Sequence, residues 1–280
     1  MNVLSLFDGM SCGRIALERA GIKVNNYYAS EIKKHAIKVS KENYPSIIQL
    51  GDIEKIDLMY LKSLKIDLLI GGSPCKGISS LNQKQQGLLH KESRLFWRYL
   101  EILKAIKPKY FLLENTHGNK ESTNTITEEM KCKPHSINSK LFTAQNRPRY
   151  YWTNIEFNTK IDDKGITTKD VLIDNNREEI PSNRLKWITG KSGISSIQKG
   201  YTKVNPYPKS GCLTANGHKK WNCNYIEENG KYFYLTKNEL ERLQTIPIGY
   251  TDSLTYDEAY DVIGDGWTVD VIAHIFKGLK

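Results

Sequence analysis

No uncharged run in this chain approaches the ~18 residues that a membrane span requires. The amino-terminal Met1-Asn2-Val3-Leu4-Ser5-Leu6-Phe7 lacks the basic lead of a signal peptide. A cytoplasmic protein is the expectation. Cysteine is sparse and unpatterned: Cys12, Cys75, Cys132, Cys212 and Cys223 make an odd set with no Cys-x-x-Cys pair. That argues against a disulfide framework and a zinc site, and for a reducing compartment. No metal is expected, and no internal repeat is found. What is there is 280 residues of ordinary globular composition, enough for one large domain or a domain with a smaller insertion. Lysine and arginine number 41 against 31 acidic residues, a net charge of +10. Such a balance suits a polyanionic partner, though it is a weak signal alone.

Val3 to Phe7 reads as a first strand. The loop Asp8-Gly9-Met10-Ser11-Cys12-Gly13 follows, and then Ile15, Ala16, Leu17 and Ala20 recur at helical spacing up to Gly21. A glycine loop between strand and helix lets a ligand approach the backbone, and the helix start offers N–H groups. Many such turns need glycine for geometry only. Val24 to Glu31 reads as a second strand ending in an acid. Its distance from the loop, roughly 20 residues, is where nucleotide-binding α/β folds place a carboxylate on ribose hydroxyls. A solvated glutamate at a helix start fits the spacing equally well. Gly51-Asp52-Ile53, after the apolar Ile47, Ile48 and Leu50, is either a plain turn or an adenine contact.

The apolar run Ile66, Leu68, Leu69, Ile70 reads as a buried strand that breaks at Gly71-Gly72, turns through Ser73-Pro74 and presents Cys75. Just past the carboxyl end of such a strand is where an open α/β sheet places a nucleophile. Alone, the commoner reading is a buried structural cysteine. Gln83 to Glu92 is polar and expected to be mobile. Leu95, Phe96, Tyr99, Leu100, Leu103 and Ile106 trace one helix face ending before Pro108. Tyr110 to Leu113 is a further strand that delivers Glu114-Asn115, and desolvation there would raise a carboxyl pKa as a general acid needs. Gln145-Asn146-Arg147-Pro148-Arg149 offers either surface cations or a preorganised clamp for an anion or carbonyl. Periodicity then fades from about Asn154 to Lys209 and returns near Leu235, where Thr236 and Glu239 form a capping box. Gly264-Asp265-Gly266-Trp267-Thr268 leads into an amphipathic last helix.

With Pro74-Cys75, Glu114-Asn115, Gln145-x-Arg147-x-Arg149 and Gly264-x-Gly266-Trp267 in this order, the chain resembles the DNA cytosine-5 methyltransferases. The similarity runs from Leu6-Phe7-Asp8-Gly9 to Val271-Ile272 and is weakest at about 156–208. Glu92-Ser93-Arg94-Leu95-Phe96 and the Trp267 motif place it nearest the de novo-type branch and small phage or bacterial relatives. The resemblance implies an α/β fold, a Rossmann-like S-adenosylmethionine-dependent sheet with helices on both faces and a small irregular target-recognition insertion. Its expected organisation is a catalytic and cofactor-binding part at 1–155, target recognition at 156–208, and a return to the catalytic domain at 209–280.

The same resemblance implies that Cys75 is the nucleophile, Glu114 the acid over the base ring, Arg149 the contact to the cytosine carbonyl and Arg147 its supporting arginine. S-adenosyl-L-methionine would be met by Phe7, Asp8, Gly9, Ser11, Gly13, Glu31, Ile32, Asp52, Ile53, Pro74, Asp265, Trp267 and Thr268. Double-stranded DNA is the implied partner, with a flipped target base, and Lys76, Ser79, Lys203, Lys219 and Lys220 are its candidate contacts. For Lys203, Lys219 and Lys220 an ordinary solvated side chain is at least an equal reading, whereas Lys76, next to the nucleophile, is expected to act near the space the flipped base leaves. Three positions depart from the family pattern: Lys76 where glutamine is frequent, Thr116 for valine, and Asp265 for asparagine. A transfer RNA methyltransferase and a non-catalytic DNA-binding relative are the alternatives. A monomer is expected, with a dimer as the other option, in a bacterial or phage-infected cell and associated with the nucleoid through DNA.

Overall fold

The computed structural model describes residues 1–74, 94–118, 120–189, 203–205, 208–215, 217 and 224–279. It divides into two compact units: Met1–Ile137 with Pro148–Lys160 and Ile272–Lys280, and Asn138–Arg147 with Ile161–Val271.

The first unit carries a seven-stranded sheet of β1 (Asn2–Leu6), β2 (Asn26–Ser30), β3 (Ile48–Gln49), β4 (Leu68–Gly72), β5 (Tyr110–Thr116), β6 (His135–Asn138) and β7 (Pro148–Thr153). Their order is β3-β2-β1-β4-β5-β7-β6. The first five run parallel, and β7 is antiparallel to β5. Between them in sequence lie α1 (Cys12–Arg19), α2 (Lys34–Asn43), α3 (Leu58–Ser63), α4 (Arg94–Ile106) and α5 (Lys120–Met130). Central strands of a parallel sheet are covered on both faces and read as continuous apolar runs; Leu68, Leu69 and Ile70 of β4 are all fully buried. Leu4, Leu6, Leu69, Phe96, Tyr99, Leu113 and Trp152 share one core cluster. The α4 side chains that enter it sit on the face expected from their spacing. The chain winds outward from β1 to β3, then returns to lay β4 on the other side of β1. The order thus reverses between β1 and β4, and beyond the carboxyl ends of the strands at such a reversal is the usual ligand position in open α/β sheets.

Two strands run further than their apolar residues. Instead of breaking β4, Gly71 and Gly72 form its last two residues. A side chain at Gly71 would put a Cβ 3.0 Å from the Leu6 carbonyl oxygen and 3.1 Å from the Tyr99 ring. Glycine is used there for close approach rather than for a turn. Strand β5 likewise continues through Glu114, Asn115 and Thr116 because its register with β7 pairs them with Tyr151, Tyr150 and Arg149.

The second unit contains α6 (Thr168–Val171), α7 (Ser182–Thr189), a three-stranded sheet of β8 (Lys203–Asn205), β9 (Asn224–Glu228) and β10 (Lys231–Tyr234), then α8 (Lys237–Leu243) and α9 (Tyr256–Asp265). A last helix, α10 (Val269–Phe276), follows in the chain. The expected capping box starts α8, with Thr236 N–H donating to Glu239 at 3.0 Å. Helices α6, α7 and α9 were not expected. Buried Glu239 organises the unit's polar interior, accepting from the Ile173 and Asp174 amides and pairing with Arg177 at 2.6 Å. No helix among the described residues is long and apolar enough to cross a membrane.

Candidate active site

The loop between β1 and α1 is wound tightly. Phe7, Gly9 and Ser11 all have positive φ, at 58°, 60° and 66°. Only glycine takes this conformation without strain, which costs a non-glycine residue on the order of 1 kcal/mol. Side-chain anchors hold the loop in that shape. Glu31, just past β2, accepts from the Gly9 amide at 2.7 Å with one carboxylate oxygen and from the Ile32 and Lys33 amides with the other. From inside, Asp8 accepts from the Tyr27 hydroxyl at 2.7 Å and the Ser11 hydroxyl at 2.5 Å, and Ser11 also meets Ser40 at 2.6 Å. Burial dominates the Asp8 carboxyl and pushes its pKa up to about 6 against these hydroxyl bonds, with Glu31 adding to the rise. The side chains of Asp8 and Ser11 therefore point into the protein, and what the loop offers outward is backbone. A Cβ built on Gly9 would meet nothing within 4 Å. Gly13 is buried in α1.

Asp52 caps a short 3₁₀ turn by accepting from the Glu54 amide at 3.0 Å, and Ile53 behind it is buried. Ile32, by contrast, is 69% exposed. An apolar side chain left uncovered next to Glu31 suits one face of a flat ligand.

A second cluster forms where β4, β5 and β7 end. Register places Gly72 beside Glu114. The Asn115 amide donates to the Ser73 hydroxyl at 3.1 Å and to the Ser73 carbonyl at 3.3 Å, fixing the chain as it leaves β4 toward Pro74. Arg149 Nε lies 3.0 Å from Glu114 Oε1, with both side chains nearly buried, and the guanidinium also donates to the Pro148 carbonyl at 2.8 Å. So the carboxylate just beyond this apolar strand is met by a cation. The structure brings Pro74, Glu114 and Arg149 into one unit.

Arg147 and Arg149, two residues apart, do different work. Arg147 lies in the second unit, where it is 4% exposed. Its guanidinium donates to the carbonyls of Leu213 at 2.6 Å, Gly266 at 2.8 Å and Gly264 at 3.2 Å, and to Cys212 Sγ at 3.3 Å. With those bonds made, it is a buried clamp rather than a free donor. Nearby, Thr268 donates to Gln244 at 2.7 Å and accepts from Ser139 at 2.8 Å, while Gln145 spans the Leu213 amide and the Leu243 carbonyl. This buried network sets the backbone around Asp265, which is exposed, and Trp267, which is half-buried. Gly264 has to be glycine, since a Cβ there would stand 2.4 Å from the Thr214 carbonyl carbon.

Cys75, Lys76, Ser79, Lys219 and Lys220 lie outside the described residues, as does Gln83 to Glu92, and Lys203 begins β8. Sequence reasoning missed three participants: Tyr27 under the first loop, Asn115 as the anchor of Ser73, and His117, whose ring stacks on Tyr150 at 4.0 Å. The strand alternation of β5, carried four residues beyond Leu113, would have put Asn115 and His117 on one face.

Residues 1–179 match the family model described as C-5 cytosine-specific DNA methylase. The chain is 32% identical over 188 residues to an orphan methyltransferase of Bacillus phage rho11s, covering 61% of this chain and 37% of that one. It is 34% identical over 172 residues to a type II methyltransferase of Neisseria gonorrhoeae, covering 54% and 40%. These matches span well under half the length of those relatives. Among solved structures, the Entamoeba histolytica methyltransferase EhMeth superposes with a TM-score of 0.79 at 18% identity, over 100% of this chain and 99% of that one. That likeness shows a shared fold.

Proposed function

The chain belongs to the C-5 cytosine-specific DNA methylase family, and on that premise we propose that it methylates C5 of cytosine in double-stranded DNA through a transient bond from Cys75 to C6. The observation that carries this reading is the Glu114–Arg149 pair, 3.0 Å apart, beside the Asn115-anchored exit of β4 that leads through Pro74 to Cys75. N3 and O2 of cytosine are separated by a single carbon, so an acid and a guanidinium held side by side match those two atoms.

Cytosine C5 is too weak a nucleophile to take a methyl group directly. Addition of the Cys75 thiolate to C6, with Glu114 in its protonated form giving a proton or hydrogen bond to N3, makes C5 an enamine carbon. Arg149 stabilises the negative charge that builds on O2. After methylation, which leaves the spent donor as a neutral thioether, loss of the C5 proton to water restores the ring double bond and expels the thiolate, and the N3 proton returns to Glu114. S-adenosylmethionine supplies an electrophilic methyl on a sulfonium. The first unit fits that donor: the open backbone at Gly9, the carboxylate of Glu31 and the exposed face of Ile32 lie just past the carboxyl ends of β1 and β2. Asp8, Ser11 and Tyr27 hold the loop from behind. Because the reacting carbon is stacked inside duplex DNA, the target base has to be flipped out. Basic side chains, Lys203 among them, are read as phosphate contacts, and Lys76, next to Cys75 in sequence, as a group near the space the flipped base leaves.

Incubation with tritiated S-adenosylmethionine and mixed-sequence duplex DNA should place label on cytosine C5, and Cys75→Ala should abolish it. Label on adenine sinks the reading. Faster initial rates on transfer RNA than on duplex DNA move the substrate to RNA. Binding of 5-fluorocytosine DNA without a covalent adduct marks a non-catalytic relative.

A further inference from the structure

His117 lies one residue beyond β5, on the sheet face opposite Glu114 and Arg149. In the β5–β7 register Thr116 is opposite Arg149 and Asn115 opposite Tyr150, so side chains at 114, 116 and 149 share one face while 115, 117 and 150 share the other. The imidazole lies flat on Tyr150, with ring centroids 4.0 Å apart and planes 24° apart. Its Nε2 meets the Ser136 hydroxyl of β6 at 3.1 Å, and the ring also hydrogen-bonds the Arg149 backbone. One side chain therefore joins the end of β5, the start of β7 and β6. The backbone it holds is that of the arginine whose guanidinium pairs with Glu114.

We propose that His117, in its neutral form, is a positioning residue that fixes Arg149 from behind and makes the seating of the Glu114–Arg149 pair sensitive to pH. The proposal rests on the cytosine methyl-transfer reading of that pair. A neutral imidazole has one donor and one acceptor nitrogen, which suits a backbone carbonyl on one side and a hydroxyl on the other. Protonation removes the acceptor and sets a second cation near the guanidinium. Among the described residues, the one charge that acts on the ring is the Arg149 cation, with no carboxylate to offset it. Strand β7 presents Arg149 and Tyr150, β6 presents Ser136, with the neighbouring His135 ring packed on Phe157, and Glu114 of β5 is already paired. Desolvation first, then the Arg149 charge, holds the His117 pKa below its ordinary value. The neutral form is accordingly the resting one at neutral pH.

Two measurements on the full chain test this. The first follows histidine titration by NMR with labelled histidine, assigning His117 by its loss in His117→Gln. The His117 midpoint should lie below the free-histidine value and rise in Arg149→Gln; a midpoint that ignores Arg149 overturns the proposal whatever the enzyme's activity. The second follows kcat for methyl transfer against pH. His117→Ala should lower kcat about five- to tenfold at pH 7.5, the scale of one lost hydrogen bond plus ring packing, with KM for S-adenosylmethionine unchanged. His117→Gln, which keeps a donor and an acceptor but cannot become charged, should recover most of that rate and lose the acid-side decline expected of the parent. An identical acid limb in His117→Gln refutes the pH role. Full kcat in His117→Ala refutes the positioning role. Absence of methyl transfer by the parent chain on DNA and RNA instead counts against the methyl-transfer reading, and leaves the NMR coupling to be judged alone.

Discussion

Asp8→Asn removes a buried ionisable group from under the first loop while keeping its shape. In the folded chain the Asp8 pKa rises from 3.8 to about 6, a shift of about two units and worth ~3 kcal/mol between the two protonation states. A raised carboxyl pKa means that folding takes up a proton between those two values. This group's contribution to stability is thus greatest below pH 4, is lost as pH rises toward 6, and is flat above. Asparagine has no such dependence. It carries a constant penalty of about 1 kcal/mol, because an amide can accept only at its oxygen where the Tyr27 and Ser11 hydroxyls now donate to two. Near pH 4 the parent should be the more stable by ~1 kcal/mol, and near pH 7 the variant by ~2 kcal/mol. Urea unfolding at half-unit pH steps reads this directly, and titrating groups that do not interact with Asp8 cancel in the difference between the two proteins. The slope m has to be unchanged for the comparison to count. A difference that stays constant from pH 4 to pH 7, or that moves the other way, refutes the account of Asp8 as a desolvated carboxyl.

Arg147→Ala strips the buried carbonyls of Leu213, Gly264 and Gly266 of their donor, and should lower the unfolding free energy by ~3–5 kcal/mol; a thermal melt within a degree of the parent's contradicts the clamp. Glu31→Gln puts an amide nitrogen among backbone N–H groups that now point at carboxylate oxygens. Calorimetric titration should show S-adenosylmethionine binding weakened by about tenfold or more, and an unchanged Kd takes Glu31 out of the cofactor site. Gly264→Ala forces a Cβ against backbone at 2.4 Å, so a loss of at least ~1–3 kcal/mol is expected from chemical unfolding. DNA affinity should fall linearly on a log–log plot against salt; a flat response removes the phosphate contacts from the reading.

The first half of the chain was largely legible because its signals are local. Each of β1, β4 and β5 is an apolar run bounded by glycine, proline or polar residues, and α4 shows its apolar face in sequence. The second unit was harder to read. Asn229-Gly230, both at positive φ of 53° and 77°, makes the tight turn joining β9 to β10, and that dipeptide is a strong hairpin signal that the fading periodicity around it obscured. The short helices α6 and α7 carry too little apolar repeat to announce themselves, and their places are set by partners such as Glu239, 62 residues from Arg177.

By itself the sequence determined which chemical groups this protein owns and their order: a glycine loop, a cysteine after Ser73-Pro74, an acid after an apolar strand, two arginines around Pro148. Local pattern suffices for that, because strand ends and turns are written in nearest neighbours. Only the tertiary structure decided what each group is free to do. Arg147 and Arg149 look alike in sequence, yet one is closed in by three carbonyls and a thiol while the other faces Glu114. Asp8 and Glu31 are both acids beside the loop, but one is buried under hydroxyls and the other ties the loop's outer backbone. Such distinctions depend on burial and on partners far away along the chain, quantities that no local run of residues contains.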